Sequence, residues 1–181
     1  MVKEVATVAG GCFWCLEAIF KRLMGVESVI SGYSGGSMDN PSYDKVSMGT
    51  TNHAEAIQIT FDPQVISYQT LLDVFWHLHD PTTLNRQGAD VGTQYRSVIF
   101  YHNDEQRKIA EASKEELEKS GVYKDPVVTQ IVPFEKFFKA EGYHQDYYEK
   151  NASSNQYCRI VIDPKITKLY KNYHELIKED A

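Results

Sequence analysis

The chain is expected to fold as an α+β two-layer sandwich, a mixed sheet with helices packed on it around a split β-α-β core. Three observations predict this. Stretches that alternate apolar and polar residues with period two give way to stretches with apolar residues every three or four positions. Their order along the chain is β-α-β-β-α-β-α-β. No repeat or low-complexity linker divides the 181 residues, and that length suits a single domain over 1–181 with a C-terminal segment from about 151.

The elements are read in order. "EVATVAG" is alternating and β-branched, a strand that Gly10 and Gly11 end. Leu16, Ile19, Phe20 and Leu23 then recur at helical spacing, so a helix starts at or near Cys12, runs to about Met24 and stops at Gly25. "VESVISGYSGG" returns as a strand, followed by a long polar loop over 34–53, a kind that in compact domains is functional or disordered. "HAEAIQITFDP" alternates strictly and is a strand. "SYQTLLDVFWHLHDP" is a helix with Ser67 as its N-cap and Asp80-Pro81 at its end. After a second loop, "TTLNRQGADVGTQY", comes the strand "RSVIFYH". A helix capped by Asn103 runs to Ser120, with Gly121 past its end. "DPVVTQIVP" reads as a strand and "EKFFKAEGYHQDYYEKN" as short helical pieces. The polar loop "ASSNQY" leads to Cys158, "RIVID" reads as a brief strand ended by Pro164, and Ile166, Leu169, Tyr170, Tyr173, Leu176 and Ile177 mark an amphipathic last helix.

Composition narrows the function classes. With 42% hydrophobic and 24% charged residues the chain can bury a core and stay dissolved. A net charge of −6 without a Lys/Arg block argues against a nucleic-acid groove. No apolar run approaches the ~20 residues of a membrane helix, and "MVKEVATVAGG", interrupted by Glu4, is not a signal peptide. The expectation is a cytoplasmic monomer whose thiols stay reduced. Its three cysteines are an odd number, and a disulfide framework would leave one over.

Chemistry concentrates at "GGCFWC". A cysteine at a helix N-terminus meets unpaired N–H groups and the positive end of the dipole, which favour thiolate. Cys12 is therefore the candidate nucleophile; the bland alternative is a small buried hydrophobe at a strand–helix junction. Cys15 follows one turn later. Regular helical i,i+3 Cβ atoms are ~5–6 Å apart, whereas a disulfide wants ~3.5–4.5 Å, so the pair closes only if the backbone at Cys12 is not yet helical. A zinc site would need a second ligand pair. His77-x-His79 does not supply one and is read as structural. Phe13 and Trp14 are either core aromatics or the walls of a pocket for a small apolar group.

Glu55 shares its strand parity with Ile57, Ile59 and Phe61. Period two puts its carboxyl on the apolar face, where burial disfavours charge and makes it a proton donor near neutral pH. The alternative is a frayed strand end with Glu55 solvated. Tyr43 and Tyr95, in or beside the two loops, can donate phenolic hydrogen bonds, and Asp90 lies in the second loop; each taken singly is ordinary loop punctuation.

"GCFWC", "NPSYDKV", "HAEAIQITFDP", "FWHLHDPTT", "GADVGTQYRSVIF" and "EGYHQDYYEKN", in this order and spacing, closely resemble peptide methionine sulfoxide reductase of the A type over roughly residues 5–165. The resemblance implies a ferredoxin-like core and no metal or organic cofactor. It implies reduction of methionine-S-sulfoxide, protein-bound or free, in the repair of oxidative damage. Cys12 matches the family's nucleophile, Glu55 its proton donor, Phe13 and Trp14 its methyl pocket, and Tyr43, Asp90 and Tyr95 its sulfoxide-oxygen and pocket partners. A Cys12 sulfenic acid, a disulfide and reduction by thioredoxin are the implied cycle. This chain departs from many members in having Cys15 where they carry Gly. It also departs at Asn52, where Gly is frequent before "HAEA". Cys158 is expected to resolve first, swung onto Cys12 by its polar loop, with Cys15 relaying, resolving alternatively or inert.

Two other classes fit the same residues. A general CxxC disulfide oxidoreductase would need Cys15, dispense with Cys158 and give Glu55 and Tyr95 no direct role. A non-catalytic module binding methionine-rich or oxidised peptides would keep its binding after Cys12→Ser.

Overall fold

The computed structural model describes residues 2–181. Strand β1 (Glu4–Ala9) leads into helix α1 (Phe13–Phe20), β2 (Val26–Ser34), a short helix α2 (Tyr43–Ser47), β3 (Ala54–Phe61) and α3 (Tyr68–Leu78). A small hairpin follows, β4 (Arg86–Gln87) and β5 (Asp90–Val91), then β6 (Val98–Tyr101), α4 (Asp104–Ser120), β7 (Gln130–Pro133), β8 (Phe137–Lys139), α5 (Tyr147–Asn151) and α6 (Asp163–Tyr173).

Six strands form one sheet in the order β7-β6-β1-β3-β2-β8. It is mixed: β6 and β7 run parallel and the other neighbours antiparallel. β1 and β2 flank β3 and are joined through α1, while β3 and β6 flank β1 and are joined through α3. Two β-α-β units are thus interleaved. The β1–β3 register, with Ala6 opposite Ile59 and Val8 opposite Ile57, turns these side chains and Phe61 to one face. There they meet Phe13, Leu16, Ile19 and Phe20 of α1 and Leu71, Leu72 and Phe75 of α3. Each such side chain contributes about 1.5–3 kcal/mol by leaving water. The other face, Ala9, Ala54, Ala56, Val98 and Phe100, is covered by Val132, Phe134 and Phe137.

The caps stand where the sequence puts them. Ser67 Oγ accepts from Thr70 N at 3.0 Å and Asn103 Oδ1 from Gln106 N at 2.9 Å. Gly121 closes α4 in the left-handed region at φ 70°. Among the described residues no helix is long and apolar enough to cross a membrane.

Several elements differ from the sequence expectation, each for a tertiary reason. The first helix ends at Phe20 rather than near Met24. Leu23 forms a bridge with Ile177, and Met24 N donates to Leu176 O at 2.7 Å, so the last turn opens to take the C-terminal tail. The two polar loops contain α2 and the β4–β5 hairpin. Only the last four residues of "DPVVTQIVP" pair in the sheet. Phe137–Lys139, expected to be helical, adds an edge strand to β2. "RIVID" is not a strand: Cys158–Ile162 forms a π-helical stretch that runs directly into α6. Its burial is helical, with Cys158 and Ile162 inside and Ile160 at 62% exposed, so packing overrides the β-branched propensity. Pro164 sits in the first turn of α6, where its missing N–H costs nothing. The last helix ends at Tyr173 and tightens into a 3₁₀ turn over His174–Leu176.

Candidate active site

β1 and β3 are antiparallel, so the end of β1, where α1 begins, lies beside the start of β3, where Glu55 stands. The crossing is tight. Gly11 has φ +93°, and a Cβ there would come within 2.6 Å of the Gln87 side chain. Cys12 is the residue before α1, with extended backbone (φ −63°, ψ 125°) and a side chain that makes no cap hydrogen bond. Its sulfur is not engaged in capping the helix. Phe13 behind it is fully buried and Trp14 half-buried.

Glu55 lies on the helix-covered face, as its parity predicts, and is 2% exposed rather than solvated. Its Oε1 accepts the Phe13 N–H at 3.2 Å. Burial raises its carboxyl to about 8. Charge on Asp90 and Cys15 adds to the rise, and the Phe13 N–H opposes it. At neutral pH the group holds a proton.

The loops bring the remaining side chains. α2 carries Tyr43, whose backbone N–H donates to Glu141 Oε2 at 3.0 Å. The β4–β5 hairpin carries Asp90, and the 3₁₀ turn Thr93–Tyr95 carries Tyr95. Cys12, Phe13, Trp14, Tyr43, Glu55, Asp90 and Tyr95 line one cavity of about 180 Å³, with Tyr157 as the eighth lining residue. Burial raises the Tyr43 and Tyr95 hydroxyls, so both stay protonated donors.

Tyr157 was not singled out by sequence. Its hydroxyl donates to Asp90 Oδ2 at 2.6 Å and lies 4.0 Å from Cys15 Sγ. The one available signal was its place next to Cys158. The "EGYHQDYY" run is likewise explained by what it holds. Glu141 accepts from Tyr33 OH at 2.9 Å, and Gln145 bonds both Ser31 N and Ser31 O, at 3.0 and 2.9 Å. Asp146 N donates to buried Glu17 at 2.9 Å. His144 Nδ1 accepts the indole N–H of Trp14 at 3.0 Å.

The three cysteines share one cluster with Ala18 and Ile162, and none is disulfide-bonded. Burial, then the hydrogen bond with Cys15 and charge on Cys15 and Glu55, pushes the Cys12 thiol up. Interaction with Cys12 pulls Cys15 down to about 7 against its own burial. The helix-start argument expects charge on Cys12 alone. With an eight-residue helix and two buried, interacting sulfurs, the pair loses its first proton as one unit, and the charge is shared between Cys12 and Cys15. Cys158 is buried, and burial raises its thiol as well. The loop before it is tied down: Asn155 Nδ2 donates to Tyr147 OH at 2.9 Å and Tyr157 N donates to Asn155 Oδ1 at 2.8 Å, and Cys158 packs in the same cluster as the pair.

His79 is structural, with Nδ1 on Phe75 O, Nε2 on Ser97 Oγ at 2.8 Å, and burial lowering it to about 4. Among the described residues no three His, Cys, Asp or Glu side chains converge as a metal cage.

A cysteine sharing a small aromatic cavity with a proton-holding carboxyl, and a second thiol coupled to it behind, is the arrangement of a cysteine-based oxidoreductase. A sequence model described as peptide methionine sulfoxide reductase matches residues 4–177. The chain is 57% identical to peptide methionine sulfoxide reductase MsrA of Saccharolobus solfataricus over 97% of each chain. Its fold is similar to Mxr1 from Saccharomyces cerevisiae in reduced form, with TM-score 0.77 and 37% identity over 84% of this chain and 88% of that one. A structure of Mxr1 in complex with Trx2 matches with TM-score 0.55 and 27% identity over 80% of this chain and 84% of that one. The chain belongs to the peptide methionine sulfoxide reductase family, and it is a reductase of the A type.

Proposed function

We propose that the chain reduces methionine-S-sulfoxide through Cys12, on free methionine and on protein residues, as a repair enzyme of the cytoplasm. One observation carries the reading: the nucleophile, the protonated carboxyl, two phenols and two aromatic walls line one cavity of about 180 Å³. That volume admits a methyl sulfoxide group but not a whole peptide, so the rest of the substrate stays outside.

The residues suit the chemistry. The substrate methyl group packs on Phe13 and Trp14. Glu55, protonated, donates to the sulfoxide oxygen, aided by the Tyr43 and Tyr95 hydroxyls, which makes the sulfur electrophilic. Cys15 takes up the Cys12 proton, and the Cys12 thiolate attacks. Two electrons pass from the Cys12 sulfur to the substrate sulfur, and the oxygen ends on Cys12 as a sulfenic acid while methionine leaves. Asp90, held by Tyr157, orients the far side of the pocket.

Cys158 then attacks the sulfenic sulfur. A disulfide forms and the oxygen departs as water. A dithiol reductant of the thioredoxin class restores both thiols by exchange. The clustering of Cys158 with Cys12 supports it as first resolver, and the naming of Trx2 with Mxr1 supports the reductant. Cys15 relays or resolves alternatively. The whole of 1–181 acts as one domain and one monomer, its 151–181 segment carrying the resolver, and the strand order supports a ferredoxin-like core.

The test is reductant-driven turnover of the separated S and R epimers of methionine sulfoxide, wild type beside Cys12→Ser. Turnover of the S epimer alone, lost in the variant, is expected. Turnover of neither epimer with all thiols reduced would overturn the reading.

A further inference from the structure

Trp14 is held mainly from outside the cavity. Its ring stacks on Tyr147 at 3.6 Å and 4°, and its indole N–H reaches His144 Nδ1 at 3.0 Å. We infer that His144 is a positioning residue for the reductase, its Nδ1 fixing the Trp14 ring so that the wall facing the substrate methyl group exists before substrate arrives. The inference rests on the reading of Trp14 as that wall.

An indole N–H can only donate, so Nδ1 must offer a lone pair and the proton of the neutral ring sits on Nε2. His144 is 0% exposed, and Nε2 has no partner among the described residues. A buried donor without an acceptor costs stability. A residue kept here only to fill space would be better as Phe, because the site is otherwise aromatic. Phe13, Tyr43 and Tyr143 pack on the imidazole with centroids at 5.1, 4.4 and 4.1 Å. The tolerated orphan on Nε2 leaves Nδ1 as the atom the position is used for.

The mount is rigid. His144 ends a 3₁₀ turn, and the residues on either side of that turn are tied to other elements: Glu141 to Tyr33 and Tyr43, Gln145 to Ser31. Trp14 by contrast is half-buried at the first turn of α1, its ring in contact with Tyr147 and the edge of Tyr157 but hydrogen-bonded only to His144. Without Nδ1 its N–H finds a partner only by turning toward water. The wall would then have to re-form with each substrate, a cost that falls on binding and not on the chemical step.

The experiment uses the full chain with methionine-(S)-sulfoxide and dithiothreitol. His144→Phe should raise KM about tenfold, the scale of one lost buried hydrogen bond, with kcat within about twofold. His144→Asn places an oxygen near the Nδ1 position and should restore KM to within about threefold, whereas His144→Gln, which reaches toward Nε2, should not. The Trp14 indole proton resonance, identified by its loss in Trp14→Phe, should move upfield in His144→Phe and return in His144→Asn. Trp14→Phe alone should raise KM, and adding His144→Phe to it should change nothing further.

Unchanged KM and an unmoved resonance in His144→Phe would overturn the inference. So would equal KM increments with and without Trp14. A wild-type KM in Trp14→Phe would sink the wall reading instead, and the resonance would then decide positioning alone. Should His144→Phe fail to fold, the Asn and Gln variants decide: equal behaviour of the two overturns the inference.

Discussion

Phe13 donates its peptide N–H to Glu55 Oε1 across 3.2 Å, so the residue after Cys12 holds the buried carboxyl. One turn of backbone sets both groups. Glu55→Gln keeps an oxygen for that N–H and should keep the fold, yet it loses the proton. Sulfoxide reduction in a single turnover should slow at least ~10²-fold. Near-normal rates would remove Glu55 from the acid role.

The pH profile follows from the same pair of sites. On the proposed mechanism the reaction needs a charge on the Cys12–Cys15 pair, whose lower step is about 7, and a proton on Glu55, held up to about 8. Plotted against pH, kcat/KM should rise through the first and fall through the second, a narrow bell. In Glu55→Gln the residual activity should lose its alkaline fall. A fall that persists unchanged in the variant would assign it to another group.

Glu55 also links pH to stability. Its folded carboxyl at about 8 lies above the ordinary 4.5, so the folded chain keeps a proton that the unfolded chain releases. Stability is therefore fully present below the unfolded value and is lost as pH climbs through the folded one, by an order of a few kcal/mol. Gln does not titrate. Between about pH 5 and about pH 9 the melting temperature of the wild type should drop more than that of Glu55→Gln. Parallel curves would show that the buried carboxyl is not the linked group.

Cys158→Ser should still release about one methionine per enzyme in a single turnover, because on the proposed cycle Cys12 alone takes the oxygen. Cycling with thioredoxin should stall. Full cycling in the variant, quantified as methionine formed against reductant consumed, would transfer the resolving role to Cys15.

Tyr157→Phe removes the donor that reaches Asp90 Oδ2 at 2.6 Å and leaves a half-buried carboxylate unpaired beside the cavity. KM for the sulfoxide should rise by several-fold to about tenfold, the scale of a lost hydrogen bond to a charged group. An unaltered KM would show that the tyrosine is only a lid.

Much of the site is legible in the chain because it is built from local signals. Cys12 follows a strand-ending glycine pair and opens a helix. Glu55 has the parity of Ile57 and Ile59, and antiparallel pairing of two readable strands carries it to Cys12. Tyr157 and His144 were not legible in this way. Each acts on a residue more than sixty positions distant, Asp90 and Trp14, through contacts that no periodicity announces. "RIVID" misleads for a related reason: three β-branched residues favour a strand, but Cys158 and Ile162 are claimed by the cysteine cluster, which only a helical spacing can serve. Phe137–Lys139 pairs because β2 has an open edge, a fact of topology and not of its three residues.

The burial of the three thiols bears on the enzyme's own survival under the stress it answers. Cys12 is 7% exposed, Cys15 1% and Cys158 0%. On the proposed cycle the oxygen that Cys12 takes is one step from sulfinic acid, which does not return. A second oxidant must enter the walled cavity before Cys158, buried in the same cluster, closes the disulfide. Overoxidation therefore competes with disulfide closure, and Cys158→Ser, stalled after one turnover with the oxygen on Cys12, should be inactivated by peroxide at levels under which the wild type keeps cycling.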